Sequence, residues 1–417
     1  MDPEPQPVPL SFNISAETRL NALSRRLWPV DAGKLCAQAR RRVGLEDFGN
    51  PPVEPALSIL AKSLEQEADL HPLGRFLMRV HLRDLLETRL RLADAWLRQK
   101  EALEVSRREK PVFIIGMPRT GSTFLHELLA EDPGNRAPRV WEVMFPLPVP
   151  GRRNSNRDPR IRRAAACLWW FRRLAPGADS VYPMRAQTPH ECVAMQSYTL
   201  LSEEFVSTCR VPSYEAFLHA ADLRPAYAWQ KRFLQHLESG CSARRWVLKS
   251  PDHVRGLEAL FSIFPDAVIV QTHRNPLEVV KSSIQLTQVL HELYARRGDR
   301  DQLARREARV LAERMERFIQ FCEDHPELAD RFVDIKYSEL VSDPLAAVRR
   351  IYQQFEIPLT EAATRRMSDL VSNRSRYRPH PATRTLADLG LDPAVETQRF
   401  ERYCSHFGIP LQSGSLR

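Results

Sequence analysis

The chain has 417 residues, 43% apolar and 27% charged, with a net charge of +9. This composition is that of a folded globular protein; it excludes collagenous, low-complexity and membrane-embedded chains, and the length suits two or three domains or one large α/β domain with an added helical piece. The positive balance comes from arginine, with only eight lysines. The arginines are spread along the chain rather than gathered in a stripe, which suits an anionic substrate and an arginine-rich solvated surface equally and shows no contiguous nucleic-acid stripe.

The first residues, up to Pro9, are acidic and proline-rich, so disorder is expected there and a signal peptide is not. From Ser15 to Glu109 the pattern is helical, broken at Asn50-Pro51-Pro52. Leu73, Phe76, Leu77 and Val80 form an apolar stripe that Leu82, Leu85, Leu86 and Leu90 continue. Residues 1–109 are thus expected to be a helical region packed on a second unit, 110–417.

At Pro111 the character changes. PVFIIGMPRTGSTFLHELL reads as a buried strand, a glycine loop and an amphipathic helix. Gly116 to Thr123 has the spacing of a phosphate-binding loop, G-x-x-x-x-G-K-[ST], with Ser122 where the lysine belongs. Such glycines let backbone N–H groups converge on an anion at a helix N-terminus. The absent lysine disfavours ordinary ATP hydrolysis, and Arg119 offers instead a planar fork for phosphate or sulfate oxygens. Residues Arg119, Thr120, Gly121, Ser122 and Thr123 are the first candidate anion ligands.

The segment from about 131 to 245 is proline-rich and aromatic, and lies where insertions after parallel strands build substrate pockets. Most of its aromatics, Tyr182 among them, are expected in the core and a minority in an acceptor pocket. Its apolar run Ala164 to Phe171 is too short to span a bilayer. Core packing is expected there, though the flanking arginines also suit peripheral contact with a membrane. Further short β-branched runs, Trp246–Leu248, Val268–Gln271 and Phe332–Ile335, suit strands buried on both faces of a parallel sheet. The fold expected is therefore α/β, a P-loop-type domain with a mostly parallel central sheet flanked by helices.

A second anion signal lies in VIVQTHRNPLEVVKSSI. Asn275 fits an N-cap and Pro276 the first helical position, so Arg274 sits at a helix N-terminus with Ser282 two turns on. Two such sites suit a nucleotide phosphorylated at both its 5′ and 3′ ends. Here the chain resembles sulfotransferases that use 3′-phosphoadenosine 5′-phosphosulfate, and the resemblance runs from about Pro111 to the C-terminus. In that family the first loop binds the 5′-phosphosulfate, and an Arg with a Ser eight residues later binds the 3′-phosphate. RWVLKSPDH resembles the central strand with its catalytic lysine, implying that role for Lys249. FVDIKYSELVSDPLAAVRRIYQQFEIP resembles the segment whose tyrosine contacts adenine, implying Tyr337. RYRPHPATRTLADLGLDPAVETQRFERYCSHFGI resembles the closing segment of bacterial members.

The base departs from the pattern. Cytosolic members place a histidine two residues after the lysine, whereas His253 here follows by four. Tyrosylprotein-type members use a glutamate, and Glu142 in RVWEVMF is similarly placed; Pro189-His190-Glu191 adds two more candidates. The base stays open among Glu142, His253, His190 and Glu191, with Glu142 and His253 placed ahead.

The reaction implied is transfer of a sulfonate to a hydroxyl of a small, lipid-like or aromatic acceptor, leaving 3′,5′-adenosine bisphosphate. The alternative is a nucleotide or small-molecule kinase on a related fold. No metal, nucleic-acid partner or transmembrane segment is expected. Seven scattered cysteines without a C-x-x-C pair point to a reducing, cytoplasmic setting.

Overall fold

The computed structural model describes residues 14–98, 109–148, 158–174, 184–238, 243–373 and 384–411. The stretch up to Pro9, Tyr182, Cys241 and residues 374–383 of the closing segment lie outside them.

Four helices come first: α1 (Ile14–Leu27), α2 (Ala32–Val43), α3 (Glu54–Gln66) and α4 (Pro72–Arg98). Asp31 caps α2 by accepting from Lys34 N, and Gly44 closes it in the left-handed conformation. Leu57 and Leu60 of α3 and Leu82 and Leu86 of α4 are buried in one apolar cluster with Phe113 and Ile115 of the sheet. The first part of the α4 stripe behaves differently: Leu73 and Phe76 face outward.

The sheet has five strands, all parallel, in the order β2-β3-β1-β4-β5. They are β1 (Val112–Gly116), β2 (Asn135–Arg136), β3 (Arg245–Lys249), β4 (Val268–His273) and β5 (Phe332–Lys336). Alternation along β1 serves both faces. Phe113 and Ile115 join the cluster shared with the N-terminal helices, while Val112 and Ile114 pack with Leu125, Val247, Val270 and Ile351 on the other side. Each fully buried aliphatic side chain of this kind stabilises the fold by roughly 1.5–3 kcal/mol. The strand β2 is too short to leave a sequence signature; Asn135 fixes it by donating to Leu129 O and Tyr352 Oη.

Registers bring the strand ends to one edge. Ile114 pairs with Lys249, Gly116 with Thr272 and His273 with Lys336. The loop after β1, Lys249, Arg274 and Tyr337 all leave the sheet there, where open α/β sheets bind ligands.

Of the inserted aromatics, Trp141, Tyr198, Phe205, Tyr214, Tyr227 and Trp229 are buried. The run Ala164–Phe171 departs from the core expected for it. It lies in a helix, Pro159–Leu174, that buries Ala164 and Leu168 but exposes Trp169 and Trp170. Apolar length alone carried no direction; the helical turn sends neighbouring tryptophans to the outer face.

Candidate active site

The loop after β1 folds as its glycines require. Gly116 has φ +125° and Gly121 φ +87°, in the region that side chains disfavour. A Cβ on Gly116 would lie 2.5 Å from Thr272 O, and one on Gly121 would lie 3.0 Å from Leu340 and 3.1 Å from the Tyr337 ring. The loop therefore approaches β4 and the start of the helix Tyr337–Ser342 as closely as backbone can. Thr120 is fully buried and ties the loop down: its hydroxyl donates to Met117 O at 2.7 Å and lies 2.6 Å from Thr272 Oγ1. Thr272 in turn donates to Ile115 O.

The two anion signals meet directly. Arg119 holds φ +66° and donates from Nε to Ser282 Oγ at 3.0 Å. Arg274 donates to Arg119 O at 2.9 Å and stacks its guanidinium 4.5 Å from the Tyr337 ring centroid. Asn275 caps the helix Pro276–Tyr294, accepting from Leu277 N and Glu278 N. Burial, and next the charge of Arg274, push the Arg119 pKa down. Two cations drawn together at two helix N-termini, beside a cradle that a Cβ on Gly121 would fill, fit a ligand with more than one anionic group.

Lys249 ends β3 only 3% exposed, ion-paired with Glu191. Burial makes this pairing mandatory, since an isolated ammonium would be far too costly there. Glu191 reaches it from the turn preceding the helix Cys192–Gln196, which Lys249 could not reveal from its own neighbourhood. His190 adjoins, its backbone N–H donating to Pro138 O; burial lowers its pKa.

The other two base candidates are engaged elsewhere. Glu142 accepts from Arg136 Nη2 at 2.8 Å and from Arg139 N at 3.0 Å, so its carboxylate closes a short helix and an ion pair. His253 lies in a 3₁₀ turn capped by Ser250, its Nδ1 2.8 Å from Tyr227 Oη and its ring 5.1 Å from Phe113. Burial drives its pKa down to about 3.

A cavity of about 520 Å³ is lined by Glu191, the partner of Lys249. Pro118 of the loop, Glu191 and Pro251 line one end, and Met144, Leu168, Phe171, Leu286 and Leu290 contribute an apolar wall. Several lining residues carry signals too scattered for sequence reasoning. Asp252 meets Arg314 at 3.1 Å and Glu307 meets Arg306 at 2.6 Å, and burial raises the pKa of both carboxyls. Glu203 pairs with Arg255 and Arg314, and His81 with Glu204 at 2.8 Å. Among the described residues, no group of three His, Cys, Asp or Glu is placed to hold a metal ion, and no helix is long and apolar enough to cross a membrane.

Comparisons with known proteins converge on one family. The sequence model described as the sulfotransferase family matches residues 111–361. The ω-hydroxy-β-dihydromenaquinone-9 sulfotransferase Stf3 of Mycobacterium bovis is 24% identical over 294 residues, 65% of this chain and 69% of that protein. The crystal structure of sulfotransferase STF1 from Mycobacterium tuberculosis superposes with a TM-score of 0.78 at 30% identity, covering 89% of this chain and 99% of that one. STF9 from Mycobacterium avium gives 0.80 at 25% identity, over 92% and 98%. Kinase activity on a related fold is not favoured, and the chain belongs to the sulfotransferase family.

Proposed function

We propose that this enzyme transfers a sulfonate from 3′-phosphoadenosine 5′-phosphosulfate to the hydroxyl of a neutral, lipid-like acceptor. The observation that carries the reading is the Glu191–Lys249 pair, which stands where the apolar cavity meets the anion loop.

The residues divide the work. Backbone N–H groups of Thr120 to Thr123, with Arg119, would hold the 5′ end of the donor. Arg274 and Ser282 would take the 3′-phosphate, and Tyr337 would meet the adenine. The bound donor supplies an electrophilic sulfonate with a phosphate leaving group, a reaction for which electrostatic stabilisation suffices. Lys249 is placed to meet charge on the leaving oxygen. Glu191, beside it and facing the cavity, is placed to accept the acceptor's proton. Their mutual ion pair holds the two side chains side by side where the substrates would meet.

The acceptor class follows from the cavity. Its arginines, Arg306 and Arg314, already have carboxylate partners, so an anionic headgroup gains no free counter-charge there. The apolar wall favours a hydrocarbon body. Stf3, whose name gives a hydroxylated menaquinone as substrate, is a relative with such an acceptor.

The donor is tested without knowing the acceptor. At ~100 times its Kd, 3′,5′-adenosine bisphosphate should stabilise the protein by about 2.7 kcal/mol, with ATP far weaker. Equal shifts from the two nucleotides would remove the donor assignment.

A further inference from the structure

The helix Pro159–Leu174 presents two faces with different tasks. Inward, Leu168 and Phe171 line the cavity. Outward, Trp169 and Trp170 are 49% and 61% exposed and Leu174 41%. The two indoles meet edge to face at 4.8 Å, and the Arg173 guanidinium lies 5.2 Å from the Trp169 ring. Arg162, Arg163, Arg172 and Arg173 flank the tryptophans, and the helix contains no acidic residue.

Other exposed apolar side chains lie on the N-terminal helices. Phe171 packs on Leu293, and so does Leu77 of α4. On the same α4, Leu73 and Phe76 are 45% and 40% exposed, and Phe76 meets Trp28 just beyond α1 at 5.4 Å. Leu20, Leu23 and Leu27 of α1 are also about half exposed. A soluble monomer seldom leaves so much apolar surface in water without a use.

We propose that this face, centred on Trp169 and Trp170, seats the protein on an anionic lipid bilayer. Indoles favour the headgroup level, where ring and N–H find apolar and polar surroundings together. Arginines around them complement anionic headgroups, the pattern of helices that lie in the interface. A second copy of the chain fits less well. A two-fold contact would set the arginines of one helix against those of its mate.

The test needs no turnover, so it stands or falls apart from the assigned reaction. Flotation is measured with vesicles of phosphatidylcholine mixed with phosphatidylglycerol, and of phosphatidylcholine alone. The protein should float with the mixed vesicles, at least roughly tenfold more tightly than with neutral ones, and salt should weaken that binding. The double variant Trp169→Ala/Trp170→Ala should lose at least roughly tenfold in affinity for mixed vesicles. Its thermal midpoint and its affinity for 3′,5′-adenosine bisphosphate should match the parent, showing an intact fold. Failure of the parent to float with either vesicle overturns the proposal, as does a double variant that floats unchanged. So does sedimentation equilibrium showing a dimer that the tryptophan changes dissociate.

Discussion

Along the anion loop the protein mostly binds itself. Thr120 grips Met117 and Thr272, Arg119 grips Ser282, and Arg274 grips Arg119. The residues come from two strand ends and the helices they feed, each set within a few positions in sequence. The cavity side is assembled otherwise. His81, Leu168, Glu191, Glu204, Asp252, Glu307 and Arg314 reach it from six separate segments, and its charged groups are matched pair by pair. The difference teaches that a phosphate is recognised by backbone and charge, which a local motif can encode. A lipid-like body is recognised by shape, which only the whole fold supplies.

The sharpest way to break this contrast is at the seam between the two sides. Glu191→Gln should lower kcat by roughly 10²–10⁴-fold if its carboxylate takes the acceptor proton. Donor binding, read by calorimetry, should survive. Near-normal turnover would pass the role to His190 or Asp252. Lys249→Ala should cost roughly 10²–10³-fold in kcat, with a smaller change in donor affinity, as for a group aimed at developing charge. A loss confined to donor KM would make Lys249 part of the loop side instead.

Arg274→Ala probes the loop side alone. It should raise the donor KM at least about tenfold while kcat changes little, because the 3′-phosphate is remote from the reacting sulfur. An unchanged donor KM would relocate the second anion site.

Acid should reach both sides together. Burial holds His126 and His253 down to about 3, and His291 down to about 4. These folded-state pKa values lie below the unfolded value of about 6.5, so the unfolded chain binds the extra protons first. Stability is full above that pH and falls as pH drops toward the folded values. Each histidine contributes about 1.4 kcal/mol per pH unit to the fall. Denaturant midpoints between about pH 7 and pH 5 should therefore decline, and a flat profile would contradict the burial of these rings.

The smallest effect on turnover is expected at Glu142. Glu142→Gln removes a charge paired with Arg136 but keeps an acceptor for Arg139 N, so it should cost roughly 1–3 kcal/mol of stability and leave kcat within a few-fold. A dead but fully folded variant would restore Glu142 as the base.

These experiments fall where the sequence was least legible. The runs that became β1, β3 and β4 announced themselves because a doubly covered parallel strand must be apolar on both faces, whereas β5, at the sheet edge, buries only Val333 and Ile335 and departs from the two-faced burial expected of it. The N-cap at Asn275 and the glycine loop were legible for a similar reason, since their geometry is imposed within one turn. The two-residue β2 was not, because Asn135 and Arg136 owe their conformation to β3 and Tyr352. The partner of Lys249 was hidden too. Four candidates satisfied the chemistry, and only the fold, bringing Glu191 across 58 residues, distinguishes them by position. Trp169 and Trp170 were set in the core on hydrophobicity, which measures how apolar a residue is and not where it points.

The pairing of charges around the cavity bears on what happens after transfer. On the proposed reaction a neutral alcohol enters the cavity and leaves as a sulfate monoester, an anion at every physiological pH. Arg314 and Arg306 are already held by Asp252, Glu203 and Glu307, and Glu191 stands at the point of reaction. On the proposed route, the new charge forms against a wall suited to hydrocarbon, beside arginines already engaged by carboxylates. On that route, the product therefore carries a charge that the hydrocarbon wall does not match, and turnover itself would favour its release.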